Sequence, residues 1–268
     1  MDNYNVFRIA PGIYDILDAG MSSWYIVEGD EKAAVIDTGI TENAKILPII
    51  RRYTQKPLVL ALTHAHIDHW YHMDEFDTVY MSHREMEMPK DFLNGMMGGK
   101  ELHPERTIDI RTGSKIDLGG TSLEVCEVPG HTPGSVVFLD QRSNKLFTGD
   151  AIGSGYGVWM QVPTAIPLDQ YYESLTGLLR WLIDRGGRMT FHGGHRYQMF
   201  QSTHVPGYNP PNMGLLCDLI DLVDGLVKGT IVGRHSTVDK VMELEPPLYA
   251  AFGRAEIEYM PHRIHTQS

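Results

Sequence analysis

The sequence predicts an α/β chain folded as an αββα sandwich, two mixed β-sheets flanked by helices, in one domain spanning residues 1–268. Three observations predict it. Strand-like and helix-like runs alternate along the chain, the order of the first half is repeated in the second, and side chains of the metal-ligating type gather only where strands end. In the first half, Tyr25 to Val27 and Ala33 to Ile36 read as strands. Glu42 to Tyr53 has helical spacing with Thr41 as its N-cap, and Leu58 to Leu62 is a short apolar strand. In the second half, Leu123 to Val128, Val136 to Leu139 and Lys145 to Phe147 read as strands, followed by a helix from Leu168 to Asp184 and a strand from Arg188 to Phe191. After the turn-rich stretch Arg196 to Pro211, Asn212 is placed to cap an amphipathic helix carrying Leu215, Leu216, Leu219, Ile220, Val223, Leu226 and Val227 on one face. Gly229 ends it. Thr230 to Val232 and Ala255 to Tyr259 are strand-like, so residues 196–268 form a helix-and-strand extension of the domain, which packs on the sandwich or on a second copy in a homodimer.

The strand ends carry the chemistry. Thr63-His64-Ala65-His66-Ile67-Asp68-His69 places three imidazoles and a carboxylate within six residues, directly after an apolar strand. Because side chains alternate along extended chain, His64 and His66 can point the same way, while Asp68 and His69 fall past the turn and can face a second ion. A solvated His-rich loop is the plain alternative, but it has no reason to follow a buried strand. His131 lies in Val128-Pro129-Gly130-His131-Thr132-Pro133-Gly134-Ser135, Asp150 ends Leu146 to Asp150, and His195 closes Phe191-His192-Gly193-Gly194-His195. Any one of these alone reads as a cap or a satisfied loop residue; four strand ends together do not.

In these motifs, over roughly Val6 to His195, the sequence resembles the metallo-β-lactamase-fold superfamily of metallohydrolases. The resemblance implies one ion held by His64, His66 and His131, a second held by Asp68, His69 and His195, and Asp150 bridging the two. It looks like the glyoxalase II and quorum-quenching lactonase branches, where Asp bridges, and unlike the true β-lactamases, which use Cys there; neither Cys126 nor Cys217 lies in a matching motif. Asp37, in Ala34-Val35-Ile36-Asp37-Thr38-Gly39, matches a family aspartate that lies behind the metals and orients a ligand. The paired basic residues that glyoxalase II uses for glutathione are not found, which sets a glutathione thioester apart from the expected substrates.

Donor chemistry points the same way. Imidazole and carboxylate without thiolate suit two divalent ions, zinc first, with manganese or iron as alternatives, and the set exceeds what one structural zinc can use. Two such ions share a hydroxide whose pKa is lowered to about 7 and polarise a carbonyl or phosphoryl oxygen. The expected activity is therefore a dinuclear hydrolase in which a bridging hydroxide attacks the carbonyl of an ester, lactone or thioester of a small organic substrate. Asp68 is the candidate for passing a proton to the leaving group. Tyr156, in the Gly-rich loop Gly153 to Trp159 after Asp150, is a second catalytic candidate as a donor to a developing oxyanion. Trp70, Tyr71, Met96 and Trp159 are candidates for the pocket wall and favour an uncharged acyl group.

Residues 83–107 look like an inserted lid, with Met86, Met88, Met96 and Met97 followed by Gly98-Gly99. His72, His83, His103, His192, His204, His235, His262 and His265 lack partners at ligand spacing and read as loop or surface residues; His192 and His204 are the two near His195 in sequence. A mononuclear iron oxygenase of the same fold, like the persulfide dioxygenases, would use the first site alone and leave His69 and His195 little to do. Phosphodiester and sulfate ester hydrolysis remain alternatives because the same ions polarise those oxygens. A flavodiiron-type role would need a carboxylate where His66 stands.

Composition narrows the partners. A net charge of −11 argues against nucleic acid, whose binders carry a basic face, and 42% apolar residues over 268 suffice for a full core. No stretch approaches a membrane span, the first twenty residues contain no long apolar run, and two cysteines exclude a disulfide scaffold, so a cytoplasmic home is expected.

Overall fold

A computed structural model describes residues 4–19, 22–41, 45–89, 100, 102–153, 157–236 and 246–267. The first sheet takes β1 (Tyr4–Ala10), β2 (Ile13–Asp18), β3 (Ser23–Glu28), β4 (Ala33–Ile36), β5 (Leu58–Ala61), β6 (Val79–Met81) and β7 (Thr107–Asp109) in chain order. Its first four strands pair antiparallel and β4 to β7 pair parallel. The second sheet runs β13-β11-β10-β9-β8, built from β8 (Lys115–Asp117), β9 (Ser122–Glu127), β10 (Val136–Asp140), β11 (Lys145–Gly149) and β13 (Thr190–Gly193).

Side-chain alternation on these strands separates the layers. Tyr25, Val27, Ala34 and Ile36 of the first sheet meet Val125, Val136, Phe138 and Phe147 of the second in the core between the sheets. The intervening residues Trp24, Ile26, Ala33 and Val35 face outward, onto Ile49 and Ile50 of α1 (Leu47–Ile50) and Trp70 of α2 (Ile67–Trp70). On the other side Cys126, Val137, Leu139 and Leu146 meet α3 (Leu168–Ile183) and α4 (Met213–Val227). Both mixed sheets and their helical covers match the αββα expectation. Leu178, fully buried in α3 within that outer layer, should cost about 2–5 kcal/mol when cut to alanine, read by urea denaturation. A loss under about 1 kcal/mol would mean that the layer refills the space.

Local corrections are informative. The expected helix from Glu42 to Tyr53 is one described turn, α1; Glu42 to Ala44 lie outside the described residues. Thr41 does not cap it. Pro48 fits only a first turn, so the helix begins at Leu47, and the Glu75 carboxylate accepts from the N–H groups of Ile46 and Leu47 at 3.1 and 3.2 Å. Asn212 does cap α4, its Oδ1 accepting from Leu215 N at 3.1 Å. Thr230 and Ile231 are not a strand: their N–H groups close the end of α4 on the Gly225 carbonyl. The strand Arg188 to Phe191 sits two residues later, as β13.

A third sheet was not anticipated. β12 (Val158–Met160), β14 (Arg234–His235), β15 (Leu248–Phe252) and β16 (Ala255–Tyr259) assemble in the order β12-β16-β15-β14, with β12 parallel to β16. Its inner face, Val158, Met160, Ile257 and Tyr259, packs into the α3 and α4 layer. The C-terminal extension thereby anchors the strand that leads away from Asp150. Of the supposed lid, Met88 is buried and Met86 half-buried against the first sheet's outer core, so these two methionines are core filler; Met96, Met97 and Gly98-Gly99 lie outside the described residues. Among the described residues no helix is long and apolar enough to cross a membrane.

Candidate metal centre

Four loops leave the carboxyl ends of β5, β9, β11 and β13 and converge on one spot. Hydrogen bonds between the sheets fix their approach: Val136 N donates to the Thr63 carbonyl at 2.9 Å, Ser23 N to the Gly194 carbonyl at 2.6 Å, and the Tyr25 hydroxyl to the Gly193 carbonyl at 2.5 Å. Arg196, just past His195, is tied at 2.6 Å to the fully buried Asp15. The loops bring together three overlapping groups whose ligand-type atoms lie within 4.8 Å of one another: His64, His66 and His131; His64, His69 and Asp150; and Asp68, His69 and His195. Neither cysteine belongs to a group. Cys126 is buried, which pushes its thiol up to about 12, and Cys217 is exposed.

The outward partners of the rings set their tautomers. Asp37 accepts from Thr63 N and from the Thr63 hydroxyl, both at 2.8 Å, and from His69 Nδ1 at 2.9 Å, so His69 turns Nε2 inward. With its proton committed to Asp37, the Thr63 oxygen accepts from His64 Nδ1 at 3.1 Å, and His64 also turns Nε2 inward. His131 Nδ1 donates to the Trp159 carbonyl at 2.7 Å. The Thr164 hydroxyl donates to the His131 carbonyl at 3.1 Å and therefore accepts from His66 Nε2 at 3.0 Å. As a result His131 Nε2 and His66 Nδ1 point lone pairs at each other across 2.9 Å, an arrangement that calls for a cation or a proton between them.

Buried polar atoms test whether metal fits. His64 Nε2, His69 Nε2 and Asp150 Oδ1 are buried with no hydrogen-bond partner, each aimed into the same site. A side chain at Gly194 would press a Cβ onto Asp150 Oδ1 and to 2.7 Å from His69 Cε1, so glycine is needed there to leave the cradle open. The residues present fit divalent cations.

Charge divides the site in two. Burial, reinforced by the neighbouring imidazoles, holds His64 and His66 well below the ordinary histidine range, and burial also lowers His131. Around the other group burial is outweighed: Asp68, Asp150 and Asp37 lift His69 well above that range, and Asp150 with Asp68 lifts His195 to about 9. Against their own burial, Asp68 is held well below the usual carboxylate range by His69 and His195, and Asp150 is lowered by His195 and His69. His195 Nε2 stands 3.1 Å from Asp150 Oδ2 and 3.4 Å from Asp68 Oδ2. A metal entering this half displaces protons from imidazole.

Other expected residues scatter. Tyr156 and Met96 lie outside the described residues. Trp70 does not line a pocket: it is 1% exposed, packs under the first sheet and donates from Nε1 to the Ala65 carbonyl at 3.1 Å. Tyr71 is half-buried beneath the Lys100 ammonium, 3.9 Å from its ring centre. Trp159 is half-buried, with its carbonyl on His131. His204 pairs with Glu256 at 2.8 Å, and His192 packs against Tyr25 and Phe147, where burial pushes it down to about 3. Sequence reasoning missed the outer partners Thr63, Thr164 and Ser22, whose hydroxyl donates to Asp68 Oδ2 at 3.0 Å. Thr63 opens the first ligand motif without a role of its own there; the others come from remote loops.

The cluster at the strand ends of this αββα sandwich is one that could hold metal ions. Residues 17–195 match the metallo-beta-lactamase superfamily, and the chain belongs to that family. An uncharacterized protein of Mycobacterium tuberculosis is 32% identical over 139 residues, which are 45% of this chain and 62% of that protein, so the match spans less than two thirds of the relative. The acyl-coenzyme A thioesterase MBLAC2 of Homo sapiens is 26% identical over 215 residues, 68% of this chain and 74% of that one. The structure of TTHA1623 in a di-iron-bound form superposes with a TM-score of 0.55 at 26% identity, covering 80% of this chain and 96% of the other.

Proposed function

We propose that this protein is a dinuclear metal-dependent hydrolase acting on the carbonyl of a small ester, lactone or thioester. The carrying observation is the overlap of the ligand groups: His64 and His69, one from each three-residue set, also group with Asp150. On this reading His64, His66 and His131 hold one ion, Asp68, His69 and His195 hold the other, and Asp150 lies between. When bound, two such ions supply a water-derived nucleophile at neutral pH and polarise the scissile carbonyl. Zinc suits the donor set, and the di-iron form of TTHA1623 supports iron as an alternative occupant. Similarity to a human acyl-coenzyme A thioesterase supports acyl transfer to water, with thioesters first among the bonds to test.

The chain's own groups have separable tasks. The Asp37–Thr63 pair holds His64 and His69 with their ligand nitrogens inward, so little reorganisation accompanies metal entry. Asp68, a quarter exposed while His69 is fully buried, is the ligand carboxylate open enough to take the proton given up by the attacking water and pass it to a leaving group. Asp68→Asn should then lower turnover by about 10²–10⁴-fold while changing ground-state substrate binding little. Unchanged turnover in a fully metallated variant removes Asp68 from proton transfer. A negatively charged chain favours a small-molecule substrate over nucleic acid.

The function itself is tested by giving the metal-loaded protein a panel of acyl thioesters, lactones and carboxylic esters, with phosphodiesters and sulfate esters alongside. Turnover confined to the acyl compounds supports the proposal. Turnover confined to phosphodiesters or sulfates contradicts it.

A further inference from the structure

Glu85 is not among the ligand-type side chains at the strand ends, yet it touches both loops that carry the first metal set. It sits in the single 3-10 turn His83–Glu87 that follows β6, and it is completely buried. Oε2 accepts from Ala65 N at 2.6 Å, the peptide between His64 and His66. Oε1 accepts from the Thr132 hydroxyl at 2.6 Å and from Gly134 N at 2.7 Å, on the loop of His131. Close approach is built in: a Cβ on Gly134 would lie 2.5 Å from Glu85 N and 2.6 Å from its Oε1.

These two loops belong to different sheets, His64 and His66 after β5 and His131 after β9. One backbone bond, Val136 N to the Thr63 carbonyl, joins their bases, and the Glu85 carboxylate, accepting from both, ties them together nearer the ligands. Two of its three partners, Ala65 N on Oε2 and Gly134 N on Oε1, can only donate, one to each oxygen, so the ionised form is the one they complement. Imidazole ligands bring no charge to a cation, and the Glu85 carboxylate lies buried on Ala65, between His64 and His66, and on Thr132, next to His131. Burial pushes its carboxyl up to about 7, so the nearby positive charge of an ion would favour the ionised state.

We infer that Glu85 is a positioning residue for the first ion: it clamps the His64–His66 loop to the His131 loop and offsets the ion's charge from behind. The inference rests on the dinuclear reading. Glu85→Gln keeps the shape but removes the charge and turns an amide N–H₂ toward groups that are themselves donors.

The test is zinc affinity by chelator competition, with bound stoichiometry and the melting temperature of the metal-free protein measured together. Wild type should bind two ions. Glu85→Gln should remain folded and bind one of them about 10–100-fold more weakly, the scale for an outer partner of a ligand, while the other is unchanged. Glu85→Asp, which restores the charge, should recover part of the loss. Unchanged affinities in a folded Glu85→Gln overturn the inference, as does an equal loss of both ions in step with melting temperature, which marks a purely structural role. If Glu85→Gln does not fold, Thr132→Ala, which removes one of the three bonds, decides: several-fold weaker binding of one ion supports the clamp, and unchanged binding overturns it. A wild type that takes up no ion overturns the dinuclear reading and this inference with it, before any variant is made.

Discussion

Asp150→Asn should lower hydrolysis by about 10³-fold or more and reduce bound metal from two ions per chain toward one. Charge balance is the reason. On the proposed reading five neutral imidazoles and two carboxylates, Asp68 and Asp150, face two divalent ions. Two cations held in one cleft repel each other, and the anion able to screen that repulsion is the one that groups with a histidine of each set. Asparagine preserves volume and one acceptor oxygen but carries no charge. In the metal-free site His195, 3.1 Å from Asp150 Oδ2, also loses its counter-ion and can rotate away. Elemental analysis beside initial rates separates the two effects: retained metal with retained rate contradicts the bridging role.

Asp37→Asn should weaken metal binding by about 10–100-fold and lower activity in parallel at limiting metal. Asparagine is the informative replacement. Asp37 has a φ of +61°, a left-handed conformation that asparagine tolerates and alanine resists, so the backbone strain stays the same and the exchange reads on the side chain. The carboxylate accepts three hydrogen bonds, two from Thr63 and one from His69 Nδ1. An amide cannot accept all three; one N–H₂ must meet a donor. The His69 tautomer is then no longer enforced, and through Thr63 neither is that of His64. Excess zinc should restore much of the activity, and chelator competition at several zinc concentrations shows whether it does.

The sequence made the ligand loops legible because each follows a strand whose apolar residues alternate between two cores. Ala33 to Ile36 is read without error since consecutive residues fill opposite faces of one sheet. The short α1 was overextended: its helical spacing continues back through Glu42, but Pro48 and the Glu75 carboxylate decide where the turn begins. The third sheet was hidden because β12 and β16 are about a hundred residues apart and β12 has only three residues, too few for a pattern. Trp70 was misplaced since an aromatic next to a ligand in sequence lies, one residue further around α2, on the core side. Glu85 gave no signal. Between Arg84 and Met86, with Glu87 beyond, it reads as a solvated charge, and its burial follows from contacts with residues 20 and about 47 positions away.

Metal content by elemental mass spectrometry on wild type and His195→Ala decides whether two ions share the site. Two ions per chain are expected, zinc first, falling toward one in the variant because the second set loses an imidazole while His64, His66 and His131 are untouched. A single iron per chain, unaffected by the loss of His195, would contradict it.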